Sequence, residues 1–251
     1  MSWFAQSGYG VRFDWGPVAA RRLAESVACV VIVDVLSFTT SVDIAVGRGM
    51  AVYPFRWRDE RATDFAASIG AELAVGRSRT TPGTPWSLSP ATLASAPHTP
   101  RLVLPSPNGS SIAAAAHGLP VVAASLRNAS AVGRWLSLNG YADPQRPVLV
   151  IASGEKWPDG SLRPALEDQL GAGAVISSLN TSSMSAEAVV CATTFRGVSD
   201  VATIVRECGS GQELITSGYA EDVELATALD VSDTVPLLVE GAFVAVQSLG
   251  A

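Results

Sequence analysis

Short runs in which every residue is apolar recur along the chain, and each gives way to small polar residues and then to a helix-like stretch. A strand wetted on one face alternates polar and apolar side chains, whereas one buried on both faces does not. Val30-Val31-Ile32-Val33 therefore reads as a buried strand, followed by a helix from about Thr39 to Arg48. The same pattern predicts strands at Ala51 to Phe55, Ala71 to Val75, Arg101 to Leu104, Val121 to Ala124 and Val148 to Ala152. Helices are expected over Asp59 to Ile69, Asn108 to His117 and Asn128 to Leu138, and from Pro164 in a first-turn position to about Leu179. Residues 76 to 100 read as loop, and the tail as mainly helical with a late strand near Val235 to Val239. Strands alternating with helices imply an α/β fold: α/β/α layers around a largely parallel, mixed sheet.

A length of 251 residues suits one domain, or two closely packed α/β halves, and no internal repeat stands out. Seventeen basic against twenty-three acidic residues give a net charge of −6 without a basic run, which argues against nucleic acid as the main partner. The longest apolar runs are too short to cross a membrane, and the first residues lack the features of a signal peptide, so a cytoplasmic protein is expected. Cys29, Cys191 and Cys208 are too scattered for a CxxC pair and read as free thiols, Cys29 as core. His98 and His117 are the only histidines, which excludes a His-rich zinc site and disfavours a Ser-His-Asp triad. His117 is placed at the end of the alanine helix, where a cation suits the dipole.

Four strand-to-helix loops share one chemistry: "VIVDVLSFTT" (31–40), "LPSPNGSS" (104–111), "AASLRNAS" (123–130) and "VLVIASGE" (148–155). Each places hydroxyl, amide or glycine groups before a helix start. One such loop is explained by helix capping. Four together, at the carboxyl ends of strands in a parallel sheet, point to an anion site built from several loops, with phosphate as the ligand. Neither a Walker motif nor G-x-G-x-x-G is present. A haloacid-dehalogenase-type phosphatase needs a second Asp two residues after Asp34, where Leu36 stands.

Those loops, with "ALEDQLGAGAVI" and "GYAEDVELATALD", resemble the 2-phosphosulfolactate phosphatase family over nearly the whole chain. The resemblance implies a magnesium-dependent acid phosphatase that releases phosphate from a small sulfonated hydroxy acid on the route to coenzyme M. The small phosphorylated acid is then the partner, with a homo-oligomer left open. Two segments depart from the family pattern. Ser37 stands where Arg is common after Asp-Val-Leu, and "VGRSRT" (75–80) replaces a Gly-Glu-Arg-Gly-Gly stretch. Arg127, Arg77 and Arg79 are the available replacement charges.

Asp34 ends an apolar strand, a costly place for a charge that is neither paired nor metal-bound. It is assigned as catalytic and as a magnesium ligand. Glu167 and Asp168, in the first turn of a helix, are the further metal ligands, Glu167 also as catalytic base. Thr39, Thr40, Asn108, Gly109, Ser110, Arg127 and Asn128 are assigned to substrate binding, while Glu155 and Asp222 are weaker candidates that read rather as solvated surface acids. The alternative is a non-catalytic phosphometabolite-binding protein on the same fold.

Overall fold

In a computed structural model that describes residues 3–57, 59–116 and 118–246, the alternating pattern becomes a sheet flanked by helices. The chain runs through β1 (Val11–Trp15), α1 (Gly16–Leu23), β2 (Cys29–Val33), α2 (Phe38–Gly47), β3 (Ala51–Phe55), α3 (Glu60–Ile69) and β4 (Glu72–Leu73). Next come α4 (Pro90–Ser95), β5 (Arg101–Pro105), α5 (Gly109–Ala115), β6 (Val121–Ala124), α6 (Ala129–Leu138) and β7 (Val148–Ala152). A small hairpin of β8 (Glu155–Lys156) and β9 (Leu162–Arg163) leads into α7 (Leu166–Ser177). Helices α8 (Ala186–Gly197), α9 (Val201–Glu207), α10 (Gly209–Thr216) and α11 (Ala220–Thr227) precede the antiparallel pair β10 (Pro236–Val239) and β11 (Ala242–Ala245).

The main sheet has the order β1-β7-β2-β6-β10-β11-β3-β5-β4. The pleat of its central strands divides two cores between them. Val31 and Val33 of β2, with Val148, Val150 and Ala152 of β7, face a core closed by α6, α7, α8, α9 and α11. Val30 and Ile32, with Leu149 and Ile151, face a second core closed by α1, α2, α4 and α5. Burial on both faces is why these runs show no alternation. The result is the expected α/β architecture with a mixed, mostly parallel sheet.

One consequence of the strand order differs from the sequence expectation. β1, β7, β2 and β6 are mutually parallel, as are β3, β5 and β4, but three antiparallel steps separate these blocks at β6/β10, β10/β11 and β11/β3. The blocks therefore run in opposite senses. The loops after β2, β6 and β7 share one edge, and the loop after β5 belongs to the other block. It reaches β2 because α5 packs against both β2 and β3.

Smaller corrections follow from local chemistry. α7 begins at Leu166, not at Pro164, which stays in the loop after β9. β1 went unforeseen because Arg12 and Asp14 interrupt its apolar pattern, as an edge strand allows. Of the 71–75 strand only Glu72–Leu73 joins the main sheet, Val75 making an isolated bridge to Ser87, and residues 76–100 contain α4. Cys29 is buried core, as expected. The expectation for His117 lies outside the described residues. No single helix among the described residues is long and apolar enough to cross a membrane.

Candidate active site

Asp34 is the first residue beyond β2 and is buried, 6% exposed. Its carboxylate is held by two backbone amides: Phe38 N–H donates to Oδ1 at 3.1 Å and Gly109 N–H to Oδ2 at 3.1 Å. The Thr39 hydroxyl accepts from Asp34 N–H at 2.9 Å and donates to the Asp34 carbonyl at 2.8 Å. Thr40 donates to the Val35 carbonyl at 2.7 Å. The two threonines thus spend their hydroxyls on folding the turn that presents Asp34, and they are not brought to the pocket.

Gly109 is required by close packing. A Cβ there would lie 2.2 Å from Phe38 Cδ1, so the ring of Phe38 excludes every other residue. The close approach expected of Asn108-Gly109 is real, but its partners are Phe38 and Asp34. Asn108 turns its Nδ2 outward and donates to Glu155 Oε2 at 3.1 Å. Ser110 is buried with its hydroxyl unpaired among the described residues.

Asp168, buried at the start of α7, accepts from Val35 N–H at 2.7 Å on one oxygen and from Gly154 N–H at 2.8 Å on the other. It ties the loops after β2 and β7 to α7. Gly154 sits at φ +67°, where a Cβ would meet Leu162 Cδ1 at 2.7 Å, so this second amide also depends on glycine. Glu167 is buried beside Cys208, whose thiol donates to Oε2 at 3.3 Å.

These acids press on one another. Burial pushes Asp34 up to about 6, opposed by the amides of Phe38 and Gly109 and by the nearby Ser153 hydroxyl, and Glu167 adds repulsion. The buried Ser153 hydroxyl has no hydrogen-bond partner among the described residues. Burial, then repulsion from Asp34, pushes Glu155 up to about 7. Burial, then Glu167 and Asp34, raises Asp168 well above the usual carboxylate range. Among the described residues none of these four carboxylates forms an ion pair with Lys or Arg.

Asp34, Asn108 and Glu155 line a polar pocket of about 330 Å³, together with Ser106, Arg77 and Lys156. Glu155 is thus a pocket residue and not a solvated surface acid. Asp222 is also no surface acid: it is buried, and pairs with Arg77. Sequence reasoning gave Glu155 too little weight because nothing local marks it; its neighbours come from β2 and β5. Arg127 and Asn128 require the opposite correction. Arg127 Nε donates to Asp43 Oδ2 at 2.9 Å and its Nη1 to the Leu225 carbonyl at 3.0 Å. Asn128 accepts from Ser125 N–H at 2.8 Å and donates to the Thr234 carbonyl at 3.0 Å. Both are braces within the loop after β6, and neither lines the pocket.

The model of the 2-phosphosulpholactate phosphatase family matches residues 18–241, which include every element around this pocket. The chain belongs to the 2-phosphosulfolactate phosphatase family. Two relatives, from Thermotoga petrophila and Thermotoga maritima, each bear the name "Probable 2-phosphosulfolactate phosphatase". They are 30% and 28% identical to this chain over 144 residues, which is 57% of this chain and 59% of each relative. The match therefore spans less than two thirds of their length.

Proposed function

We propose that this member of the family hydrolyses the phosphate monoester of a small acidic hydroxy acid, 2-phosphosulfolactate or a close analogue, to the free hydroxy acid (3-sulfolactate) and inorganic phosphate. The observation that carries the reading is the pairing, in one polar pocket, of Asp34, oriented by two amides, with Glu155, held by Asn108 and poised at about 7. An anion binder gains nothing from buried carboxylates beside its ligand.

The same acids test the fit of magnesium. Among the described residues no group of three or more His, Cys, Asp or Glu forms a ready-made metal cage. Magnesium needs only one or two protein carboxylates, with water and phosphate completing its oxygen shell. Asp34 and Glu167 offer hard oxygen donors in a place where carboxylates lack a cationic partner, so they fit. Asp168, which unlike Asp34 does not line the pocket and ties the loops after β2 and β7 to α7, supports them from behind. When bound, magnesium supplies positive charge against the phosphate oxygens.

The protein's own groups do the rest. A water oxygen forms the new bond to phosphorus as the bond from phosphorus to the ester oxygen breaks; one of the water's protons stays on the released phosphate and the other restores Glu155. Protonated Glu155 gives its proton to the leaving alkoxide, while Asn108 fixes the other carboxyl oxygen. Asp34 holds its charge and orientation through Phe38 and Gly109.

Phosphate release should be measured from 2-phosphosulfolactate, 2-phospholactate and phosphoglycerates, with magnesium and with chelator. Release should depend on magnesium and fall roughly a hundredfold or more in Asp34→Asn, the scale of losing a major catalytic group. Magnesium-independent release would remove the metal from the reading. Binding of 2-phospholactate without any release would favour the non-catalytic alternative.

A further inference from the structure

On the reading that this pocket hydrolyses a phosphomonoester, we propose that Arg77 recognises the substrate's second acidic group, a carboxylate or sulfonate carried beside the ester, and that Asp222 is its positioning residue. Arg77 lies in the short turn after β4 and lines the pocket with Asp34. Its Nε donates to Asp222 Oδ2 at 2.9 Å and its Nη2 to Ser37 Oγ at 2.7 Å. The ring of Tyr219 lies 5.3 Å from the guanidinium carbon. Three neighbours from two distant segments thus fix the plane of the guanidinium.

Asp222 is itself immobilised. Its side chain is 1% exposed, and Oδ1 accepts from Ser89 Oγ at 2.6 Å and from Ala91 N–H at 3.0 Å. These bonds tie α11 to the start of α4, so Arg77 is anchored to two helices and not to a flexible surface acid.

A guanidinium has five N–H donors, and Asp222 and Ser37 use two. Among the described residues the remaining three have no protein acceptor. A half-satisfied planar fork, held in place at a pocket wall, suits a bidentate oxyanion. Asn108 and Glu155 enter the pocket from the β5–α5 loop and β8, whereas Arg77 is anchored through α11 and the loop after β2. The ester therefore fits the side of Glu155, and the second acid fits the side of Arg77.

A matched set of esters separates the two roles: 2-phosphosulfolactate, 2-phospholactate and isopropyl phosphate, the last having the lactate carboxylate replaced by methyl. With magnesium present, the unaltered protein should prefer the acidic esters in kcat/KM. Arg77→Gln should lower that preference about tenfold or more through KM, as expected for one charged hydrogen-bonded contact, and lower kcat/KM on isopropyl phosphate by a smaller factor. Asp222→Asn should move KM in the same direction by a smaller factor. A merely structural Asp222 would instead lower the melting temperature and affect all three esters alike. Should Asp222→Asn not fold, Arg77→Gln alone decides. Equal losses on all three esters, or no preference in the unaltered protein, overturn the proposal. Absence of release from every ester, with the unaltered protein folded and magnesium present, overturns the phosphatase reading beneath it.

Discussion

Gly109 donates its backbone N–H to Asp34 Oδ2 at 3.1 Å, joining the loop after β5 to the loop after β2 across 75 residues of sequence. The bond is short enough only because glycine lets the ring of Phe38, whose own amide holds the other Asp34 oxygen, pack against it. The orientation of Asp34 and the packing of Phe38 are thus one arrangement.

Gly109→Ala should destabilise the protein by about 1–3 kcal/mol through overpacking against Phe38. Phe38→Leu in the same chain should recover part of that loss, giving a non-zero coupling in a double-mutant cycle measured by denaturant unfolding. Additive effects would contradict the contact.

Glu155, at about 7, should impose a limb on the pH profile of kcat/KM. It acts in its protonated form, so activity should fall as pH rises through its pKa, which magnesium should bring down from about 7 by offsetting the repulsion from Asp34. Glu155→Gln, which cannot donate that proton, should lower the rate and remove the limb. A limb of unchanged position in Glu155→Gln assigns it to another group.

Stability without magnesium should also depend on pH. Asp34 and Glu155 are raised in the folded protein to about 6 and about 7, above the roughly 4 of a solvated carboxyl. Folding thus favours their neutral forms. Their contribution is full below about pH 4 and is lost as pH rises through about 6 to 7. The melting temperature of the metal-free protein should therefore be higher near pH 5.5 than near pH 8. Magnesium should raise it more near pH 8, because it binds deprotonated carboxylates. Equal magnesium shifts at both pH values would argue against Asp34 as a ligand.

Arg127→Gln breaks a pair whose carboxylate, Asp43, is 1% exposed and held otherwise by Ser232. The expected cost is about 3 kcal/mol, since it leaves a buried charge poorly compensated. KM for 2-phospholactate should not change in the folded fraction. A raised KM without loss of stability would return Arg127 to the binding site.

The apolar runs of β2, β6 and β7 are legible in the sequence because burial on both faces is a local property of each strand. Asp34 is legible for a similar reason, as a charge at the end of such a run. The partners of that charge are not. Gly109 arrives because three antiparallel steps set β5 in a separate block from which α5 reaches β2, while Gly154 and Asp168 arrive because β7 pairs with β2. Arg127 and Asn128 carry the same donors that a phosphate site would use, and Arg77 carries them too. What separates brace from binder is whether the side chain borders the pocket. Arg127 and Arg77 each spend two of five donors on internal acceptors, and Asn128 is spent on Ser125 and Thr234, but of the three only Arg77 lines the pocket with Asp34. A side chain's chemistry is written in its residue type, but which acceptor it reaches depends on contacts between segments far apart in sequence, and those exist only once the sheet has formed.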